Sequence, residues 1–201
     1  TGMWADYPPG YILVLWLVGL FGKLFGMGTA GIGFAYLVKL PAILADVFSA
    51  YLVYKLAKKR FSEKGALCLC ALMALNPMSL LDSAAWGQID SILTLLAVGS
   101  LWCYTQGKKP WAAALFVLGV LVKPQMLVFG PLLAAAFIED IVRAPKQGFK
   151  ELGISALYGI AVLLVVVLPF SPGQEPLWLW NKYTSAAGSY PYATVNAFNL
   201  Y

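Results

Sequence analysis

The sequence predicts an all-α protein that crosses a membrane several times. Of its 201 residues, 61% are hydrophobic and only 11% are charged, whereas a soluble domain carries about 25% charged residues. Apolar runs recur along most of the chain, and a water-soluble protein of this size could not bury them all. Backbone in lipid must satisfy its own hydrogen bonds, and the runs lack the alternating polarity of barrel strands, so the spans are predicted to be helices.

Seven apolar runs supply the predicted helices. A perpendicular span needs about 20 residues. Two runs are close to this length and two reach it only with flanking residues. Two more are short, and are either spans extended by their neighbours or helices buried among others. In order, the runs are Pro8–Phe21, Pro41–Ala57, Ala66–Leu81, Ile89–Tyr104, Trp111–Val122, Met126–Ile138 and Leu152–Phe170.

Residues 1–201 are predicted to form a single domain that is an internal piece of a longer protein. Lys23 and the glycines between positions 26 and 33 interrupt the first apolar stretch, so residues 1–40 are expected to be an external loop with interfacial helices. About six transmembrane or buried helices are expected over 41–170. An external loop over 171–195 and the start of another helix over 196–201 complete the predicted organisation.

The 14 basic residues divide unevenly between the connections. All but four fall in the segments 55–64, 108–109 and 143–150, which share one side of the membrane if each run crosses once. The positive-inside rule places that side in the cytoplasm. Because the basic residues mark segment ends and form no arginine-rich face, no nucleic-acid partner is predicted. The four exceptions, on the external side, are Lys23, Lys39, Lys123 and Lys182.

The residue types that most often bind metals are scarce. The chain has no histidine, and Cys68, Cys70 and Cys103 all lie inside apolar runs, where a thiol usually packs as a small hydrophobe. We therefore predict no disulfide framework, no metal site and no histidine-based catalysis within these residues.

Polar clusters interrupt the apolar runs at four places on the external side, and the first contains Asp6. This carboxylate precedes Pro8 and Pro9, which can open a helix at Tyr11. Asp6 is therefore either an ordinary helix cap or a rigidly placed reactive group, and spacing alone favours the cap.

The second cluster lies between two apolar runs and contains Asp82, Trp86, Gln88 and Asp90. Polar groups at membrane depth are costly and usually line a cavity or a site. The alternative is a polar loop in which Asp90 caps the next helix and Trp86 belongs to an interfacial belt.

The third cluster is Lys123-Pro124-Gln125. Its lysine either extends to the membrane surface or holds an anionic phosphate, and Pro124 interrupts the helix. The fourth is the aromatic-rich segment 171–192, which contains Lys182 and Tyr190 and serves either as a membrane anchor or for stacking on sugar rings. Asp46, within an apolar run, is either a site residue or a partner in a buried hydrogen bond.

Together these motifs occur in an order that resembles GT-C glycosyltransferases. The similarity is to the glucosyltransferases of N-glycan assembly that use dolichyl-phosphate-glucose, and to bacterial relatives of the mannosyltransferase that adds the second mannose of GPI anchors. Trp-Gly-Gln-x-Asp is more typical of the bacterial relatives, since the glucosyltransferases carry His-Phe-Gln-Tyr-Asn there. The motifs are Asp6-Tyr7-Pro8-Pro9, Asn76-Pro77 with Trp86-Gly87-Gln88-Ile89-Asp90-Ser91, Lys123-Pro124-Gln125-Met126, and Tyr190-Pro191-Tyr192 with Val195-Asn196-Ala197-Phe198.

The resemblance implies a GT-C-like catalytic domain in a bacterial plasma membrane, with its active face external. It implies transfer of mannose or glucose from a polyprenyl-phosphate donor to a lipid-linked or cell-envelope acceptor, in contact with membrane lipid and without a cofactor. Asp6 would be the general base, and Lys123, with Lys182 as second candidate, would stabilise the departing phosphate. The remaining substrate-binding candidates are Asp82, Trp86, Gln88, Asp90, Gln125 and Tyr190.

Two other functions remain open from sequence. A transporter or lipid flippase would also carry broken helices and intramembrane charges, but its polar residues would lie near the midplane, commonly with an internal repeat. No repeat is visible, and the polar clusters fall on one side. A noncatalytic subunit that keeps the fold is the third candidate.

Overall fold

The computed structural model describes residues 7–188, which form a bundle of α-helices with no β-strand among them. The all-α prediction is confirmed for this part of the chain. A π-helical turn, Leu80–Trp86, follows α4, and 3-10 turns at Pro124–Phe129 and Leu168–Phe170 precede α7 and follow α8. In order, the helices are α1 (Pro9–Leu24), α2 (Ile32–Ala57), α3 (Glu63–Ala74), α4 (Pro77–Ser79), α5 (Asp90–Thr105), α6 (Lys109–Val122), α7 (Gly130–Arg143), α8 (Pro145–Val167) and α9 (Trp178–Gly188).

Within residues 7–188, four helical segments are long and apolar enough to cross a membrane: Ile32–Ala57, Glu63–Trp86, Pro124–Arg143 and Pro145–Phe170. The shorter helix α6 packs between α5 and α8, and α5 packs between α2 and α6. The run Trp111–Val122 is therefore a short helix among longer ones, whereas the run Met126–Ile138 belongs to a candidate span. Small residues such as Ala112 and Ala114 are buried where the helices meet, because they allow backbones in a membrane to approach closely.

The second helix begins at Ile32 and not at Pro41. The connection between α1 and α2 is rich in glycine. Gly26 has a φ of 63° there, and Gly31 precedes the first residue of α2. Proline inside a helix removes one backbone hydrogen bond, yet the apolar residues from Ile32 onward continue one helix through Pro41. The side of the membrane occupied by residues 1–40 stays a prediction.

The three connections richest in basic residues meet at one end of the bundle, which we call the basic end. The Lys59 ammonium reaches the Thr105 carbonyl at 3.5 Å and so joins the end of α2 to the end of α5. Lys109 at the start of α6 pairs with Asp140 of α7 at 2.9 Å and with Glu151 of α8. Tyr104 of α5 donates its hydroxyl hydrogen to the same Asp140 carboxylate. Five helices, α2, α5, α6, α7 and α8, are thus linked through charged groups at the basic end.

The opposite end, which we call the carboxylate end because Asp82 and Asp90 lie there, is crossed by α1. Gly10 packs directly against Leu121 and Val122, and a Cβ atom built on Gly10 would stand 2.7 Å from the Leu121 carbonyl oxygen. Gly22, near the other end of α1, packs against Phe34 of α2, which precedes Lys39. Both ends of α1 therefore contact the bundle at the carboxylate end.

Candidate functional site

The centre of the site is an ion pair between Lys123 and Asp90. Lys123 is the residue at which α6 ends, with an extended backbone (φ −155°, ψ 126°), and Pro124 follows it. Asp90 is the first residue of α5. The Lys123 side chain is 21% exposed and that of Asp90 is 46% exposed. The pair is therefore partly sheltered yet open at the carboxylate end.

The turn before Asp90 has a fixed shape. Gly87 adopts a φ of 88°, in the left-handed region that favours glycine. The backbone N–H groups of Gly87 and Gln88 both donate to the carbonyl of Asp82, at 2.8 and 2.9 Å. Ile89 is 2% exposed, so it anchors the turn in the core. These contacts explain why glycine and isoleucine stand at their places in the Trp86–Asp90 motif.

Lys39 is a second cation of the site, and sequence reasoning assigned it no role there. Its ammonium donates to the carbonyl oxygens of Ala84 and Ala85, at 3.1 and 2.7 Å. The sequence signal was its place among the four lysines predicted to lie opposite the basic segments. That signal identified its side but not its partners, because the acceptors are backbone atoms.

Two further carboxylates are linked to the ion pair electrostatically, Asp82 directly and Asp46 through Asp82. Asp82 is half-buried and interacts electrostatically with Asp90, Lys123 and Asp46. Asp46 of α2 is 8% exposed, and its Oδ2 atom has no hydrogen-bond partner within residues 7–188. The Lys123 ammonium is therefore paired with Asp90 and interacts electrostatically with Asp82, which in turn interacts with Asp46. Such a set can hold an anion at the lysine and accept hydrogen bonds from hydroxyl groups at the carboxylates.

Four of the other predicted site residues lie in the part of the chain that the structure describes. Gln125 is exposed in the turn after Lys123, Trp86 is 77% exposed and Gln88 is half-buried. Lys182 is half-buried on α9. Asp6 and Tyr190 lie outside the residues that the structure describes. No cluster of three or more His, Cys, Asp or Glu side chains within 7–188 is arranged to hold a metal ion.

The segment after α8 contacts the end of α6 through Tyr183. Its hydroxyl donates to the carbonyl of Val120 at 2.8 Å. Burial raises the pKa of Tyr183 to about 12, so the hydroxyl keeps its proton and stays a donor at neutral pH. This bond docks α9 on the last turn of α6, directly before Lys123.

A family of known proteins matches most of this chain. The family model described as dolichyl-phosphate-mannose-protein mannosyltransferase covers residues 6–172. The protein belongs to this family. Membership confirms the resemblance to GT-C membrane glycosyltransferases that the motifs indicated.

Individual relatives carry related names. A Bacillus subtilis (strain 168) protein named "Putative mannosyltransferase YycA" is 30% identical over 94% of this chain and 25% of its own length. The catalytic subunit of GPI alpha-1,4-mannosyltransferase I from Danio rerio is 31% identical over 51% of this chain and 25% of its own. A second B. subtilis protein, "Putative mannosyltransferase YkcB", is 30% identical over 65% of this chain and 19% of its own. The chain thus spans about a quarter of the length of these relatives. No solved structure matches the chain.

Proposed function

We propose that this chain is part of a membrane hexosyltransferase that takes mannose or glucose from a polyprenyl-phosphate donor. The acceptor would be a lipid-linked glycan or another cell-envelope molecule. The observation that carries the proposal is the partly exposed Lys123–Asp90 pair at the carboxylate end, in a chain of this family. The names of the relatives favour mannose over glucose.

Lys123 would bind the phosphate of the donor. When the bond from the sugar to the phosphate breaks, negative charge increases on the phosphate oxygens, and a preorganised cation there lowers the barrier. Asp90 already holds the Lys123 ammonium in place, so the lysine need not be ordered during the reaction. Because the leaving phosphate is already stable as an anion, no separate acid is required.

Asp6 would be the general base that takes the proton from the acceptor hydroxyl. The support comes from the position of the chain that follows it. Asp6 precedes Gly10 by four residues in the sequence, and Gly10 packs against Leu121 and Val122, directly before Lys123. Asp82, Gln88 and the other substrate-binding candidates would then contact sugar hydroxyls or support these groups.

The active face would be external, with the basic end in the cytoplasm. Ten basic residues lie in the three connections at the basic end or in the helix ends beside them, as the positive-inside rule predicts for a cytoplasmic side. The same sidedness argues against a transporter or flippase, which would gather its polar groups near the midplane. Asp46 lies within the candidate span Ile32–Ala57 and interacts electrostatically with Asp82 at the carboxylate end.

Transfer of a radiolabelled hexose from polyprenyl-phosphate donors by the full-length protein in liposomes tests the proposal. Asp6→Asn keeps size and capping ability and should lower turnover by roughly 10²–10⁴-fold at normal expression. Glu175→Gln, the same chemical change at an exposed carboxylate of the α8–α9 connection, is the matched control. Lys123→Met should impair donor use more than acceptor use. Full transfer by the Asp6→Asn protein would remove Asp6 from the mechanism, and absence of transfer with every donor would refute the proposed activity.

A further inference from the structure

We propose that Lys39 is a positioning residue, whose ammonium holds the turn from Trp86 to Asp90 in the geometry that presents Asp90 to Lys123. The inference rests on the proposed function, since it concerns the same site. It assigns Lys39 a role through the protein backbone and not through contact with the donor.

The first step concerns the carbonyl groups at the end of the π-helical turn. The last carbonyls of a helix lack partners within the helix and need other donors. Here the N–H groups of Gly87 and Gln88 both donate to the Asp82 carbonyl, so they do not donate to the carbonyls of Ala84 and Ala85. The Lys39 ammonium donates to both of those carbonyls. A cation at this position also suits the negative end of the helix dipole.

The second step concerns the aliphatic part of the Lys39 side chain, which passes over Gly87. A Cβ atom at Gly87 would stand 3.0 Å from Cγ of Lys39 and 3.4 Å from its Cε. The φ of 88° at Gly87 would be strained for any other residue as well. The lysine and the glycine therefore fit only together: a side chain at position 87 would displace Lys39, and without Lys39 the turn loses its cover.

The third step links the turn to the ion pair. Ile89 and Val122 belong to the same buried cluster, each 2% exposed. Asp90 directly follows Ile89, and Lys123 directly follows Val122. Both members of the ion pair therefore directly follow a residue that is anchored in the same buried cluster. Lys39 fixes the other side of the turn, so that the residues between Ala85 and Ile89 are held at both ends.

A lysine that only marks topology would behave differently. It would extend its ammonium toward water at the membrane surface, as an exposed lysine such as Lys23 on α1 is free to do. The Lys39 ammonium instead donates to the backbone carbonyls of Ala84 and Ala85, which lie 45 and 46 positions away in sequence. That geometry serves the shape of the turn.

Hydrogen–deuterium exchange of the full-length protein in detergent tests the inference without any substrate. Lys39→Met keeps the apolar stem and removes the donors, so exchange at Gly87 and Gln88 should accelerate by about tenfold or more. Lys39→Arg can still donate to both carbonyls and should restore most of the protection. Lys23→Met, the matched control, should exchange as the wild type does. Unchanged protection in Lys39→Met would overturn the proposal.

Transfer kinetics then connect the turn to the reaction. If Asp90 and Lys123 are misplaced by about 1 Å, kcat/KM should fall by about 10²-fold in Lys39→Met and recover largely in Lys39→Arg. Gly87→Ala should reproduce the defect by a different chemical change. The double variant should then be little worse than the poorer single variant, because both act on one turn.

The outcomes separate this inference from the proposed function. Faster exchange in Lys39→Met together with a wild type inactive on every donor would refute the transferase and leave the structural role of Lys39 intact. Lost transfer with unchanged exchange would mean that Lys39 contacts substrate directly, which overturns the positioning role. Additive effects of Lys39→Met and Gly87→Ala would overturn it as well.

Discussion

Gly10 is the position where a single added methyl group should do most harm to the carboxylate end. A Cβ atom there would lie 2.7 Å from the Leu121 carbonyl oxygen, 2.8 Å from its carbon and 2.9 Å from the Val122 nitrogen. Carbon atoms in favourable contact stand about 3.5–4.0 Å apart, and these neighbours are backbone atoms of α6. The start of α1 must therefore move by roughly 1 Å, which typically costs about 1–3 kcal/mol.

The matched control is Gly19→Ala in the same helix, where no atom lies within 4 Å of the added methyl. Alanine is a better helix former than glycine by about 1 kcal/mol, so Gly19→Ala should be neutral or stabilising. We expect Gly10→Ala to be less stable than wild type by up to about 2 kcal/mol after the same gain is subtracted. It should also transfer sugar more slowly, because the start of α1 directly follows Asp6 in the chain and packs on the residues before Lys123.

Unfolding of both variants of the full-length protein in mixed detergent micelles gives the comparison, with transfer measured on the same samples. Opposite signs for the two alanine substitutions are the expected result. Equal stability of Gly10→Ala and Gly19→Ala would refute the close packing of α1 on α6. A destabilised Gly10→Ala protein with full transfer would instead show that the packing of α1 on α6 does not affect the reaction.

Three further predictions concern other parts of the molecule. Lys109→Met leaves two partly buried carboxylates without their shared cation, so unfolding in detergent should show a loss of about 1–3 kcal/mol; a loss below about 1 kcal/mol would mean that the pairs act like exposed ones. Because the pKa of Tyr183 is raised to about 12 from 10, the stabilisation by the protonated Tyr183 hydroxyl should be complete below pH 10 and disappear as the pH rises toward 12. Tyr183→Phe should remove that part of the pH dependence of unfolding, and a profile identical to that of the wild type would contradict this prediction. Single cysteines at Arg60 and Lys146, with the native cysteines replaced, should resist impermeant thiol reagents in intact cells, and labelling from outside would reverse the proposed orientation.

The sequence was sufficient for the helical class because its signals are local. Long apolar runs indicate helices wherever lipid is the solvent, and the three basic segments already predicted which connections share one side. The start of α2 at Ile32 was harder to predict, because Pro41 and Lys39 both suggest a boundary. The structure shows that a single proline did not outweigh the apolar residues on its N-terminal side.

The sequence singled out two residues of the candidate site and not the contact between them. Asp90 and Lys123 were both candidates, yet the sequence assigned one to the sugar and the other to the phosphate. The structure joins them across 33 positions, a relation that no spacing rule indicates. Lys39 was assigned no role in the site because its partners, at Ala84 and Ala85, are backbone carbonyls. Every residue has a backbone carbonyl, so a sequence does not show which ones accept a hydrogen bond.

The charged links at the basic end have a mechanical consequence. Lys109, Asp140, Glu151 and Tyr104 fasten α5, α6, α7 and α8 together there, whereas α1 rests on the other end through close glycine contacts. If these helices move apart to admit a lipid tail from the bilayer, the separation should be smallest where the charges hold them and should grow toward Lys123. The bundle would then open as a wedge, with its pivot on one membrane surface and its mouth at the other.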